Sequence, residues 1–441
     1  MRLNYRKIFA EVEPGIREFA FQREFVDLGR ETGPANAEWI KGRAIYEIYV
    51  RAFSEEGSFK AVQAALPELK QYGIDVIWFM PIFPIGEKER KGPLGCPYSI
   101  KDYFTVNPEY GTEQDFKNLI ESAHRLGMKV LIDMVPNHVA HDYRYLKTIP
   151  ELIRYDERGK PLRKVADWTD VVDLDYSRPA TREHMAEVMK HWITEYDVDG
   201  YRCDVAGLVP MDFWEWVAPK LRALKEDFYL LAEWESQLLH QKVFNSTYDW
   251  STLQILKDVF EKKVSVQRLA EWLLTKAAIY PQNALPLRFL ENHDLPRAAA
   301  EFSEEQVLCG LLFIFSLHGV PLIYNGQEIG DRQTPSLFEK QTIDWQNKNQ
   351  KIYTFLQSLL RLRKEKAALS SKEYVFKSAY FKDDILSFEK EDLWIIINFS
   401  DVQREMAAEE GELLLNTHDE LRRHAGRWQL KPCQGILLRK Q

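Results

Sequence analysis

Cysteine is scarce: the 441-residue chain has four, Cys96, Cys203, Cys309 and Cys433, spread far apart. No two stand at metal-ligand spacing and no dense framework exists, so a disulfide scaffold is excluded and all four read as reduced thiols. The N-terminus, Met1-Arg2-Leu3-Asn4-Tyr5-Arg6-Lys7, lacks the apolar stretch of a secretory signal. Long apolar runs are missing too. The longest, Leu311 to Leu317, is far too short to span a bilayer. These absences predict a cytoplasmic protein with no membrane partner, unless the chain is a trimmed mature form. A surplus of basic charge is also absent, because the formal net charge is −8. The runs Lys88-Glu89-Arg90-Lys91 and Arg361-Leu362-Arg363-Lys364 are broken by other residues and read as solvated faces, which argues against a nucleic-acid partner. No internal repeat or low-complexity segment stands out.

What is present is an ordinary globular composition, 45% apolar, with 12 Trp and 20 Tyr that should mostly be core. The length exceeds what one core supports, so one large domain with smaller ones is expected. Strand-like and helix-like segments alternate, the pattern of βα repeats and a parallel sheet. The strand candidates are Ala44–Val50, Val76–Met80, Lys129–Val135, Gly200–Asp204, Tyr229–Ala232, Val243–Thr247, Pro286–Leu290 and Val320–Tyr324. Amphipathic stretches such as Glu113–Leu126, Arg182–Tyr196, Asp212–Leu224, Glu304–Leu317 and Ile352–Lys366 lie between them. Eight such units close most economically into an α/β (β/α)8 TIM barrel, over residues 41–137 and 179–366. Residues 138–178 hold few apolar runs and follow the third strand, so they are expected to form a small lid-like insertion over the active face. After Lys366 the helical pattern stops. Ile385–Glu389, Trp394–Asn398, Glu412–Leu415 and Gly435–Leu438 read as short strands of a C-terminal antiparallel β-domain, 367–441. Residues 1–40 are a polar N-terminal extension of unassigned role.

Four strand ends carry chemistry. They are Asp133-Met134-Val135-Pro136-Asn137-His138, Gly200-Tyr201-Arg202-Cys203-Asp204, Leu231-Ala232-Glu233-Trp234 and Phe289-Leu290-Glu291-Asn292-His293-Asp294. A single carboxylate among 67 acidic residues means little. Carboxylates at the carboxyl ends of several barrel strands converge on the face where catalysis sits. The order and content of these segments resemble the α-amylase family of retaining glycoside hydrolases (family 13), and the resemblance covers most of the chain. Ile45-Tyr46-Glu47-Ile48-Tyr49-Val50-Arg51-Ala52-Phe53 and Gly319-Val320-Pro321-Leu322-Ile323-Tyr324-Asn325-Gly326-Gln327-Glu328 match as well, chiefly as markers of the fold.

Glycoside hydrolysis with retention needs an acid on the leaving oxygen and a carboxylate that attacks carbon from the opposite face. Residues two apart on a strand share a face, so Arg202 should lie beside Asp204 and keep it ionised. Asp204 is the candidate nucleophile, and the resemblance implies the same. Glu233 ends an apolar strand, where a carboxylate is costly to bury without a task, and is the candidate acid. Glu235 competes with it, but the Ala-Glu-aromatic match falls on Glu233, and Glu235 reads as a loop or helix-cap carboxylate. The resemblance implies that Asp294 is the third carboxylate, gripping sugar hydroxyls and stabilising the oxocarbenium-like transition state. It further implies that His138, Arg202 and His293 belong to the substrate site. Cys96-Pro97-Tyr98-Ser99-Ile100-Lys101-Asp102-Tyr103 resembles the family's Gly-Tyr-x-x-x-Asp-Tyr loop, and the resemblance implies that Tyr98 rather than Tyr103 is the stacking floor for the sugar. Asp133 reads as architectural.

The match fails at two positions. Many α-amylases carry Lys-His three and four residues after the nucleophile, where this chain has Gly207 and Leu208. The leaving-side sugar must then be held otherwise. Val171-Val172-Asp173-Leu174-Asp175 is closer to the α-1,4-acting pattern than to that of α-1,6-glucosidases. The resemblance also raises a structural Ca2+, with Asn137, Asp173 and the backbone oxygen of Leu208 as ligands. Ca2+ wants six to eight oxygens, and only these three can be named. No cofactor is expected for the chemistry. The expected activity is hydrolysis of α-1,4-glucosidic bonds in starch or maltooligosaccharides. A transglycosylase or α-glucosidase of the same chemistry stays open, with a non-catalytic transporter subunit as the remote alternative. A metal-dependent hydrolase would want His clusters on several strands, and only His138 and His293 of the 10 stand at strand ends.

Overall fold

Residues 26–440 are described by the computed structural model of the chain, so residues 1–25 of the N-terminal extension lie outside the described residues. The first three barrel strands are β1 (Ile45–Ile48), β2 (Val76–Phe79) and β3 (Lys129–Met134). A two-stranded antiparallel ribbon of β4 (His138–Ala140) and β5 (Val171–Asp173) follows. The remaining barrel strands are β6 (Gly200–Cys203), β7 (Tyr229–Ala232), β8 (Ser246–Tyr248), β9 (Leu285–Arg288) and β10 (Val320–Tyr324). All neighbours are parallel, the order round the barrel follows the chain, and β10 closes on β1. This is the (β/α)8 barrel that the alternation predicts.

The strands read as continuous apolar runs because both faces are covered, by the barrel interior on one side and helices on the other. Every residue of Val76-Ile77-Trp78-Phe79 and of Tyr229-Leu230-Leu231-Ala232 is buried. Helices such as Glu113–Arg125 and Glu304–Phe315 start at capping boxes, Thr112 with Asp115 and Ser303 with Gln306, which satisfy their free N–H groups. Two strands differ from expectation. The sixth begins at Ser246 rather than Val243, because Val243 ends the short helix Gln237–Lys242. The seventh ends at Arg288, so Phe289 to Asp294 form a loop above the barrel.

Beyond the barrel, five strands form an antiparallel sheet in the order Val375–Phe376, Ile385–Lys390, Leu393–Asn398, Gly435–Lys440, Gly411–Asn416. Leu393, Ile395 and Ile397 belong to the same core as the barrel, whereas Trp394 and Ile396 face a second core with Met406 and Leu430. The second core is closed by a three-stranded sheet, Arg404–Ala407, Arg427–Leu430 and Arg422–His424. No described helix is long and apolar enough to cross a membrane.

Candidate active site

The barrel hydrogen-bond ladder runs one residue past β6 and β7 and places the two central carboxylates on adjacent strands. Asp204 N–H donates to Met134 O (2.8 Å) and Glu233 N–H to Cys203 O (3.0 Å). Asp204, Glu233, Asp294, Tyr98, His138 and His293 all line one cavity of ≈ 230 Å³ at the carboxyl ends of the strands. Side-chain exposure separates the acids: 9% for Asp204 and 10% for Glu233, against 36% for Asp294 at the mouth. A larger open cleft of ≈ 1020 Å³ contains none of these residues. Two of its cations are paired with carboxylates, Lys101 with Glu87 and Arg144 with Asp102, and the strand-end carboxylates meet in the smaller cavity instead.

Arg202 organises the floor. It was expected among the sugar contacts, but it is 0% exposed and lies beneath the cavity, its charge taken up by carboxylates. Its Nη1 donates to Asp133 Oδ1 (2.9 Å), Asp133 Oδ2 (3.0 Å) and Asp204 Oδ1 (2.9 Å). Nη2 lies 2.9 Å from Glu233 Oε2, close enough for charge but misaligned for a hydrogen bond. The guanidinium is packed against the rings of Trp78, Tyr98 and Tyr248, with centroids 5.2, 5.5 and 5.7 Å away. Burial pulls its pKa down, but Asp133 and Glu233 outweigh this, so it stays charged.

Glu233 accepts its one aligned hydrogen bond from Val205 N–H, at Oε2 (2.8 Å). Val205 has φ 36° and ψ 47°, a left-handed backbone that a β-branched residue adopts only under strain. The strain turns the N–H after the candidate nucleophile onto the candidate acid. Burial raises the Glu233 pKa. The Arg202 charge opposes the shift, and Asp204 and Asp294 reinforce it. Asp133, which accepts three hydrogen bonds, is also raised by burial against the pull of Arg202. The Val205 N–H and the Arg202 charge both bear on Oε2, which leaves Oε1 as the carboxyl oxygen with no hydrogen-bond donor among the described residues.

Tyr98 and His293 form one wall, stacked with centroids 5.5 Å apart at 21°. Tyr98 Oη lies 2.7 Å from His293 Nε2 and donates to Asp133 Oδ2 (3.1 Å). His293 Nδ1 bonds the Glu47 carboxylate, and Nε2 lies 3.2 Å from Asp294 Oδ2. Burial lowers the His293 pKa, but Asp294 and Glu47 together override it and push it up to about 9. His138 is the opposite case, lowered by burial; it packs at 5.3 Å against Trp168. Tyr103 is fully buried and its hydroxyl donates to Val135 O and His138 O (3.0 Å for the latter), so it braces the loop under His138. Glu235 lies outside the cavity, accepting Ser251 N–H (2.9 Å) at the start of helix Trp250–Phe260 and pairing with Lys276 (2.5 Å). Glu47, Cys96, Trp168, Asp170 and Val205 were not singled out from sequence. For Glu47 a signal existed, a lone charge inside the apolar run Ile45-Tyr46-Glu47-Ile48.

A family model described as the alpha amylase catalytic domain matches residues 36–168 and 153–351. The chain belongs to the α-amylase family. An alpha-amylase from Lactobacillus plantarum, known from a crystal structure, is 34% identical over 91% of this chain and 99% of that one, with a TM-score of 0.82. A noncanonic maltogenic alpha-amylase, AmyB, from Thermotoga neapolitana is 32% identical over 90% of this chain and 98% of that one, with a TM-score of 0.81. Alpha-amylase MalA of Haloarcula japonica is 28% identical over 76% of this chain, and the match spans 50% of that relative's length. This α-amylase family member is a glycoside hydrolase.

The departures from the family pattern have structural counterparts. A Cβ on Gly207 would fall 2.0 Å from Trp234 Cε2, so the indole next to Glu233 occupies the space into which a larger side chain would project. Two of the three oxygens raised as calcium ligands meet on a side chain. Lys164 Nζ donates to Asn137 Oδ1 (2.8 Å) and to Leu208 O (2.9 Å), and its charge acts on Asp173. An ammonium that spends these oxygens as acceptors does not fit a divalent ion at the same place. Among the described residues, no group of three or more His, Cys, Asp and Glu converges as a metal site.

Proposed function

We propose that the chain is a retaining hydrolase of α-1,4-glucosidic bonds in maltooligosaccharides or starch, with Asp204 as nucleophile, Glu233 as acid and base, and Asp294 as the transition-state carboxylate. The observation that carries this reading is one guanidinium, Arg202, serving Asp204 by a hydrogen bond and Glu233 by charge, in a cavity that also holds Asp294. Two carboxylates sharing one small cation suit the separation of about 5–5.5 Å used by retaining enzymes better than the wider gap that admits a water.

In this mechanism Glu233 Oε1 gives its proton to the glycosidic oxygen as the bond to the anomeric carbon breaks. An Asp204 oxygen attacks that carbon from the other face and forms an ester. The leaving sugar departs carrying the proton. Glu233, now a carboxylate, takes a proton from water, whose oxygen displaces Asp204 and restores the original configuration. His293, held protonated by Glu47 and Asp294, presents its positive charge to the sugar hydroxyls. His138 contacts the same ring, and Tyr98 offers its face beneath it. Arg202 positions the two catalytic carboxylates and keeps Asp204 ionised. Residues 138–178 act as the lid, with His138 and Trp168 brought over the cavity. The buried, unpaired thiols of Cys203 and Cys309 suit a cytoplasmic setting.

The test is substitution followed by kinetics on maltoheptaose. Glu233→Gln should lower kcat by about 10²–10⁴-fold, the usual worth of a general acid, and Asp204→Asn should abolish turnover with the fold intact. Wild-type activity in either variant would overturn the assignment. The product profile of the same digests separates hydrolysis, which yields only shorter chains, from transglycosylation, which also yields longer ones.

A further inference from the structure

The inserted segment is fastened to the barrel at one point of unusual composition. Asn137, at the end of β3, is 1% exposed, and Asp173, in β5, is 2% exposed. The backbone ties around them are dense: Leu174 N–H donates to Asn137 O (3.0 Å), Asp173 N–H to Leu162 O (2.9 Å) and Arg154 N–H to Asp173 O (3.1 Å). Burial raises the Asp173 pKa; the Lys164 and Arg154 charges oppose the shift, and among the described residues no Lys or Arg forms an ion pair with Asp173 at contact distance. Lys164, an exposed residue of the inserted segment, brings its ammonium to this point. It reaches Asn137 Oδ1 (2.8 Å) and Leu208 O (2.9 Å), the latter in the turn directly after the candidate nucleophile. Lys164 thereby links three pieces of chain: its own lid, the end of β3 and the turn after β6.

We propose that Lys164 is a tethered cation that performs, as part of the chain, the clamping a bound divalent ion would otherwise supply, and that it is a positioning residue for the lid side of the cavity. The route to the cavity is short. Asn137 Nδ2 lies 3.1 Å from His138 Nδ1, and His138 pairs in register with Asp173 across the β4–β5 ribbon. His138 in turn packs on Trp168, four residues beyond Lys164. An ammonium offers three donors and one positive charge. That is enough for two carbonyl oxygens and a distant carboxylate, and too little to draw in the six to eight oxygens of a Ca2+ shell. Replacing an ion by a side chain removes the dependence on ion concentration, because a covalently attached group is not diluted away.

The clamp needs no knowledge of the substrate, so its thermal test stands apart from the proposed function, and only the kinetic arm rests on that reading. The full-length protein is stripped with EDTA, and its melting temperature is measured in excess EDTA and in millimolar CaCl2. Wild type should melt at the same temperature in both. Lys164→Ala should melt a few degrees lower in EDTA and recover part of the loss in CaCl2, because Asn137, Asp173 and Leu208 O then face no cation. Its KM for maltoheptaose should rise several-fold with a smaller change in kcat, since His138 loses its anchor while Asp204 and Glu233 keep theirs. Lys164→Gln, which keeps a donor and drops the charge, gives the same readouts if the alanine variant does not fold. A calcium response of equal size in wild type and variant would overturn the proposal. So would a variant that keeps both the wild-type melting temperature and the wild-type KM.

Discussion

At the scale of single residues, the site is a problem in distributing protons. Glu47, Asp133, Asp204, Glu233 and Asp294 crowd around two cations, Arg202 and His293. Such a surplus of carboxyls is relieved by holding one of them neutral. Burial favours the neutral form of both Glu233 and Asp133, and Glu233, with one aligned hydrogen bond against three at Asp133, is the less stabilised as a carboxylate, as the proposed acid requires. The acid is active while protonated, so its raised pKa sets the alkaline limb of the pH profile. Asp294 contributes to that rise. Removing its charge in Asp294→Asn lowers the Glu233 pKa, and the alkaline limb of the residual activity should move to lower pH. A limb that stays in place, measured on maltoheptaose, whose leaving sugar needs the acid, would contradict this coupling. Glu235 supplies the control. Glu235→Gln should keep activity but lose about 1.5–3 kcal/mol of stability, the worth of a charged hydrogen bond, from its contacts with Lys276 and Ser251. Loss of activity with unchanged stability would reverse the choice of acid.

At the scale of elements, the loop after β6 carries most of the consequences. Val205 turns its N–H onto Glu233, Gly207 makes room for the Trp234 ring, and Leu208 O accepts from Lys164. Gly207→Ala would place a methyl inside the indole. Overpacking of this kind costs about 1–3 kcal/mol, and because Trp234 adjoins Glu233, kcat should fall with stability. An alanine variant with wild-type melting and kcat would show that the ring moves freely. Little of this loop was legible in the sequence. Gly207 and Leu208 marked a departure from the Lys-His pattern, but what fills the space depends on Trp234, from another strand. Strained backbone at Val205 has no sequence signal at all, since valine ordinarily avoids it. The barrel strands were legible because burial on both faces makes them uninterrupted apolar runs. The strands Arg404–Ala407, Arg422–His424 and Arg427–Leu430 escaped notice because, apart from Met406, Trp428 and Leu430, they consist mainly of exposed or charged residues.

At the scale of the whole molecule, one arrangement explains why the four separated motifs were readable together. A parallel barrel brings the carboxyl ends of its strands to one face, so residues more than a hundred positions apart, such as Tyr98 and His293, come into hydrogen-bond contact. Both residues were legible as types within motifs that follow barrel strands, and the roles given to them belong to the proposed function. The depth of Arg202 was not, because which of two neighbouring polar side chains turns inward is decided by packing against Trp78, Tyr98 and Tyr248. With Gly207 and Leu208 on the leaving side, short substrates lack compensating contacts at distant subsites. Accordingly kcat/KM should be lower for maltotriose than for maltoheptaose, and equal values would contradict it. The central claim is double displacement by Asp204 and Glu233, and proton NMR of the anomeric region during the first turnovers tests it most directly. The account predicts the α-anomer as the first product, before mutarotation. The β-anomer appearing first would contradict it.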